Sequence, residues 1–144
     1  MSKKILIPLD GSPLAEAVLP HAQAVAKAEN AEIVILRVPV VPAAEFFGRN
    51  TALASMVSHD LDEEANQYVQ AEVRMLRNGG ATATGMIREG PVPETIIKVA
   101  DEIHADMIAM STHGYTGLKH WFKGSMAEDV VHHTHIPVML IHPN

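Results

Sequence analysis

The chain has 144 residues, enough for one domain that buries roughly two thirds of its unfolded surface without cross-links. Hydrophobic residues make up 47% and charged residues 19%, which excludes a disordered or fibrous chain, and the absence of cysteine excludes a disulfide framework or a thiolate metal site. With 17 acidic residues against 11 basic the net charge is −6, so nucleic-acid binding through a basic face is not expected and any anion site has to be local.

Met1-Ser2-Lys3-Lys4 runs into an apolar stretch, Ile5 to Leu9, too short for a signal-peptide core or a membrane span, so a cytoplasmic address without membrane contact is expected. Lys4 to Leu9 (KILIPL) is a nearly unbroken apolar run, as in a parallel strand covered on both faces. Asp10-Gly11-Ser12-Pro13 then combines a turn with an N-cap and a proline at the first helical position. Leu14, Val18, His21 or Ala22, and Val25 carry helical spacing to about Glu29, with a kink expected at Pro20.

Ala31 to Val38 (AEIVILRV) is the second strand, closed by Pro39 and Pro42, and residues 40 to 50 have no clear period. A long helix is expected from Thr51 to Arg77 on the four-residue spacing of Leu61, Ala65, Val69 and Val73, stopped by Asn78-Gly79-Gly80. Thr82 to Arg88 is a third strand, and Pro91 to Ile103 a helix with Ile96, Ile97, Ala100 and Ile103 on one face. Asp106 to Met110 is the fourth strand, Gly124 to His133 the last helix and Ile136 to Ile141 the fifth strand.

Strand and helix alternate without an internal repeat, which argues for a single-domain α/β fold, an open doubly wound parallel sheet of five strands with helices on both faces. Such sheets bind ligands beyond the carboxyl ends of their strands, where the order reverses. Those ends carry Asp10, Val38, Gly90 and the loop that begins at Ser111, so the chemically suggestive residues collect at one edge.

That loop, STHGYTGLKHWFKGS from Ser111 to Ser125, has the parts of an anion site. Glycines let backbone N–H groups approach, and Gly124-Ser125 opens a helix whose dipole favours a negative charge. No carboxylate lies between Met107 and Ala127, whereas Lys119 and Lys123 do. Glycines also follow strands in many α/β proteins, and the pattern is neither a Walker loop nor a dinucleotide fingerprint. The residues by themselves reach an anion loop and no further.

The stretches ILIPLDGSPLAEAVLPHAQAVA, MSTHGYTGLKHWFKGSMAEDVV and IPVMLI resemble the universal stress protein family, across the whole chain and in element order. The resemblance implies a Rossmann-like sheet in the order 3-2-1-4-5 and binding of ATP with Mg2+ by a stress-response sensor or switch that is no dedicated catalyst. ATP-binding members carry Gly, two residues, Gly, nine residues, then Gly followed by Ser or Thr. Here the register that begins at Ser111 gives Gly114 and then Gly124-Ser125, with serine in place of the first glycine.

Carried over on matching positions, the resemblance puts Asp10 near the ribose and metal-phosphate region and the Val38 backbone at the adenine edge. Pro8, Leu9 and Met110 would wall the base, while Ser111, His113, Gly114, Gly124, Ser125 and the Met126 amide would line the phosphate path. Core packing accounts equally for the apolar members of that set, and helix capping for Asp10. The fifth strand, Ile136 to Ile141, would pair with its copy in a homodimer. A member without nucleotide, working through protein contacts, is the alternative. A phosphoacceptor receiver would need more acidic residues than Asp10 alone, and an ATP pyrophosphatase a richer loop than Asp10-Gly11-Ser12. His132 and His133 point about 100° apart on a helix, so with His135 they read as dipole partners at a helix end rather than as a metal site.

Overall fold

The structure, a computed structural model, describes residues 3–40, 48–112 and 124–143, with the backbone alone for Gly124 and Ser125. Five strands form one sheet: β1 (Lys3–Leu9), β2 (Ala31–Arg37), β3 (Ala83–Ile87), β4 (Met107–Ser111) and β5 (Val138–Ile141). Their order is β3-β2-β1-β4-β5 and every adjacent pair is parallel, as the doubly wound reading requires. The described helices are α1 (Pro13–Glu16), α2 (Leu19–Glu29), α3 (Thr51–Asn78), α4 (Val92–Glu102) and α5 (Gly124–His133).

The unbroken apolar runs of β1, β2 and β4 are explained by cover on both faces. Leu6, Ile7, Ile33, Ile35, Leu36, Ile108 and Met110 are all fully buried. From β1 to β3 the chain steps one way across the sheet and from β3 to β5 the other, so right-handed connections put α2 and α3 on one face and α4 and α5 on the opposite one. Packing of α2 on β1 and β2, of α3 on β2 and β3, and of α4 against α5 agrees with that division.

Pro20 does more than kink its helix. The segment divides into α1 and α2 across Ala17 and Val18, and Pro20 takes the second position of α2, where its missing N–H is no loss. Continuing one helix would drive its ring against the carbonyl of Glu16, four residues earlier.

Asn50 caps α3, its side-chain oxygen accepting from the Leu53 N–H at 2.9 Å. Ala65, Val69, Val73 and Leu76 are the buried stripe of this helix. Its 28 residues run about 42 Å, far beyond a five-residue strand, so the first turns overhang the sheet and leave Leu53 and Met56 exposed. Close seating of α3 depends on Gly85 of β3, where a Cβ would fall 2.2 Å from Val69 Cγ1.

β5 begins at Val138 rather than Ile136. The Ile136 N–H is taken by Thr134 Oγ1 at 3.1 Å, and Pro137, which has no N–H, contributes only its carbonyl oxygen, accepting from the Ile108 N–H at 2.9 Å. With β3, β5 forms the margin of the sheet, and Leu140 on it is exposed.

Candidate functional site

β1 keeps register with β2 from Lys3↔Ala31 to Leu9↔Arg37, but with β4 only at Ile5↔Met107 and Leu6↔Ile108. The cause lies in Pro8. Lys4 turns its backbone toward the β4 side: its carbonyl oxygen accepts from the Asp106 N–H at 2.8 Å, and its N–H donates to Asp106 Oδ2 at 2.8 Å. Backbone groups alternate sides along a strand, so Leu6 and Pro8 also face β4, and Pro8 has no N–H to give. The ladder stops there, at the point where the strand order reverses and where open sheets of this kind place a ligand crevice.

Asp10 stands at the mouth of that crevice and is 6% exposed. Its Oδ1 accepts from the Ser12 N–H at 2.9 Å and from the Ser12 hydroxyl at 2.5 Å. The Ser12 oxygen in turn accepts from the Ala15 N–H at 3.1 Å, capping α1 as expected. Gly11, at φ +87°, makes the turn in a conformation that a side chain would strain. Across the crevice, the buried Ser111 hydroxyl donates to the Ala15 carbonyl oxygen at 3.3 Å, and the Thr112 N–H donates to the Ile141 carbonyl oxygen at 2.8 Å. The short α1 is thereby tied to the ends of both β1 and β4.

At the end of β2, Val38 is fully buried. Beside it the Arg37 guanidinium lies 5.0 Å from the centroid of the Tyr68 ring, with Nη2 donating to Glu64 Oε2 at 3.4 Å. The Tyr68 hydroxyl donates to Glu16 Oε2 at 2.5 Å. Burial, reinforced by the Glu16 carboxylate, pushes the Tyr68 hydroxyl above its ordinary pKa, and the same two influences in the same order raise Glu72.

Of the residues expected at the site, the structure gathers Pro8, Leu9, Asp10, Val38, Met110 and Ser111 at the carboxyl ends of three adjacent strands. Leu9, Val38 and Met110 are completely buried, so among the described residues they are core. The polar side chains at this edge, Asp10, Ser12 and Ser111, are buried as well. His113 and Gly114 lie outside the described residues, as do Tyr115, Lys119 and Lys123. Gly124 and Ser125 open α5, which starts on the same side of the sheet because β4 ends there, and Met126 is half-buried against the core. His132, His133 and His135 are exposed; His133 Nδ1 lies 2.8 Å from the Asp129 carbonyl oxygen, and no group of three or more His, Asp or Glu among the described residues is placed to hold a metal. The sequence reading missed Arg37 and Tyr68, and it assigned Ser111 to the phosphate path without seeing its bond to Ala15.

A parallel sheet in the order 3-2-1-4-5, with a held carboxylate at the end of its first strand, defines a small α/β domain of the doubly wound class. The chain belongs to the universal stress protein family, whose profile matches residues 1–142. It is 32% identical over 140 residues to universal stress protein MJ0531 of Methanocaldococcus jannaschii, covering 96% of this chain and 81% of that one. The solved structure of MJ0577 from the same organism, 29% identical, covers 100% of this chain and 98% of its own with a TM-score of 0.82. A universal stress protein of Archaeoglobus fulgidus solved in complex with dAMP has the same fold, with a TM-score of 0.65 at 22% identity over 98% of both chains.

Proposed function

We propose that this chain binds an adenine nucleotide, ATP with Mg2+, in the crevice between β1 and β4, and works as a cytoplasmic stress-response sensor or switch rather than as a dedicated catalyst. One observation supports the reading: the β1–β4 pairing ends at Leu6 and Ile108, with Asp10 following β1 and α5 the next described helix after β4. Asp10 would meet the sugar and the Val38 backbone the adenine edge, with Pro8, Leu9 and Met110 as the wall behind the base. Gly124, Ser125 and the Met126 amide fit the phosphates, with Ser111, His113 and Gly114 between them. The related Archaeoglobus fulgidus protein, solved with dAMP, supports the ligand class. Asp10 is too few ligands for a caged Mg2+, so the ion would arrive on the triphosphate oxygens.

A homodimer through the β5 margin, Ile136 to Ile141, completes the proposal, because this apolar edge strand needs cover. No described helix is long and apolar enough to cross a membrane, which fits an address in the cytoplasm.

Calorimetric titration with ATP and Mg2+ tests the nucleotide reading, with Gly124→Val as the comparison. Binding by the wild type that is lost in a variant of unchanged circular dichroism supports it. A nucleotide-free wild type that gives neither heat nor a thermal shift overturns it in favour of a family member acting through protein contacts. For the dimer, Val138→Asp should lower the sedimentation coefficient, and an unchanged value counts against this interface.

A further inference from the structure

The Arg37 guanidinium occupies the space that a side chain on Gly11 would need. A Cβ built on Gly11 would meet Nη1 at 3.3 Å and Cζ at 3.7 Å, so the glycine of the Asp10 turn packs directly on the arginine. The arginine is itself fixed. Its side chain is 13% exposed, its Cζ lies over the Tyr68 ring at 5.0 Å from the centroid, and Nη2 donates to Glu64 at 3.4 Å. Tyr68 is anchored through its hydroxyl to Glu16 of α1, the helix that the same turn begins.

Nη1 is buried and has no hydrogen-bond partner among the described residues. Leaving a buried charged donor without a partner carries a desolvation cost. An apolar side chain at the end of this strand would avoid that cost, but it would lack the flat fork that meets Gly11, Tyr68 and Glu64 at once. Hydrophobic packing therefore gives no reason for arginine. Its geometry does: a flat, rigid group can be gripped on its face by Tyr68 and on one edge by Glu64, leaving the other edge against Gly11.

We propose that Arg37 is a positioning residue: clamped between Tyr68 and Glu64, it backs Gly11 and holds the Asp10–Ser12 turn in its ligand-receiving geometry. As a statement about ligand binding, this rests on the nucleotide reading; as a statement about the turn, it is tested without any ligand.

The experiment compares the wild type with Arg37→Met, which keeps the stem and removes the fork, and with Arg37→Gln, kept as a second variant should the first fail to fold. Amide hydrogen exchange at Ser12, whose N–H is bonded to Asp10, is read beside amides of α4 as the internal reference. Exchange at Ser12 should rise about tenfold while α4 is unchanged, the size of coupling that neighbouring side chains show. Unchanged Ser12 exchange, or equal acceleration in α4, overturns the proposal, the second because it marks a merely global effect.

Titration with ATP and Mg2+ then separates the two readings. Affinity should fall about tenfold in Arg37→Met, and in an Asp10→Asn background the same change should have no further effect, because the arginine acts through that turn. Additive losses overturn the positioning role. A wild type that binds no ATP, yet whose Ser12 amide is loosened by Arg37→Met, overturns the nucleotide reading and leaves the turn's dependence on Arg37 intact.

Discussion

The Ser111 hydroxyl donates to the Ala15 carbonyl oxygen at 3.3 Å, joining the end of β4 to a helix 96 residues earlier in the chain. The serine oxygen is turned into the protein. Ser111→Gly should destabilise by about 1–2 kcal/mol, from one buried hydrogen bond and the added backbone freedom. A urea midpoint unchanged from the wild type would mean that the bond contributes nothing.

Pro8 is responsible for the early end of the β1–β4 ladder, so returning an N–H at this position should extend it. In Pro8→Val the hydrogen bond gained is worth about 1 kcal/mol, and the freer unfolded chain costs about 0.4–1 kcal/mol. Stability should therefore hardly move. The amide at position 8 becomes protected from exchange, the crevice narrows, and nucleotide affinity falls. An unprotected amide would place the origin of the crevice elsewhere.

Gly85 lets α3 lie against β3, and a methyl group there would overlap Val69 Cγ1. Gly85→Ala should cost about 1–3 kcal/mol by overpacking. Adding Val69→Ala should recover part of the loss, as a double-mutant cycle in denaturant would read.

Glu72 is buried on α3 facing Glu16, and its carboxyl has a higher pKa in the folded chain than in the unfolded one. In the window between those two values the folded protein holds the extra proton, so this residue makes stability fall as pH rises from about 4.3 upward. Glu72→Gln should therefore be more stable than the wild type at pH 7, with the advantage fading as pH drops to 4. Chemical denaturation at several pH values measures it; an advantage that grows on acidification would reverse the sign.

The strands were legible because each is a short apolar run with its own punctuation, such as Pro39 after the second or Gly79-Gly80 before the third. Ser12 was legible as a cap because its partners are within three residues. Arg37 was not. In AEIVILRV it reads as a polar strand terminus, and its meaning comes from Gly11, Glu64 and Tyr68, which the fold brings from elsewhere in the chain. Pro20 was placed correctly but underweighted, since the strength of a helix break depends on whether the preceding residues find other bonds. The overhang of α3 was invisible for a similar reason: helical period says where a helix runs, not how much sheet lies beneath it.

Lys4 and Asp106 fasten β1 to β4 at one end of their length, and toward Pro8 the pairing stops. Under the nucleotide reading, a ligand arriving at that end meets strands whose paired register already stops at Leu6 and Ile108. Association on that side should follow a single exponential whose rate rises in proportion to ligand concentration, without the plateau that a preceding opening step imposes. Residence time, rather than the speed of capture, is then what natural variation at this edge would tune.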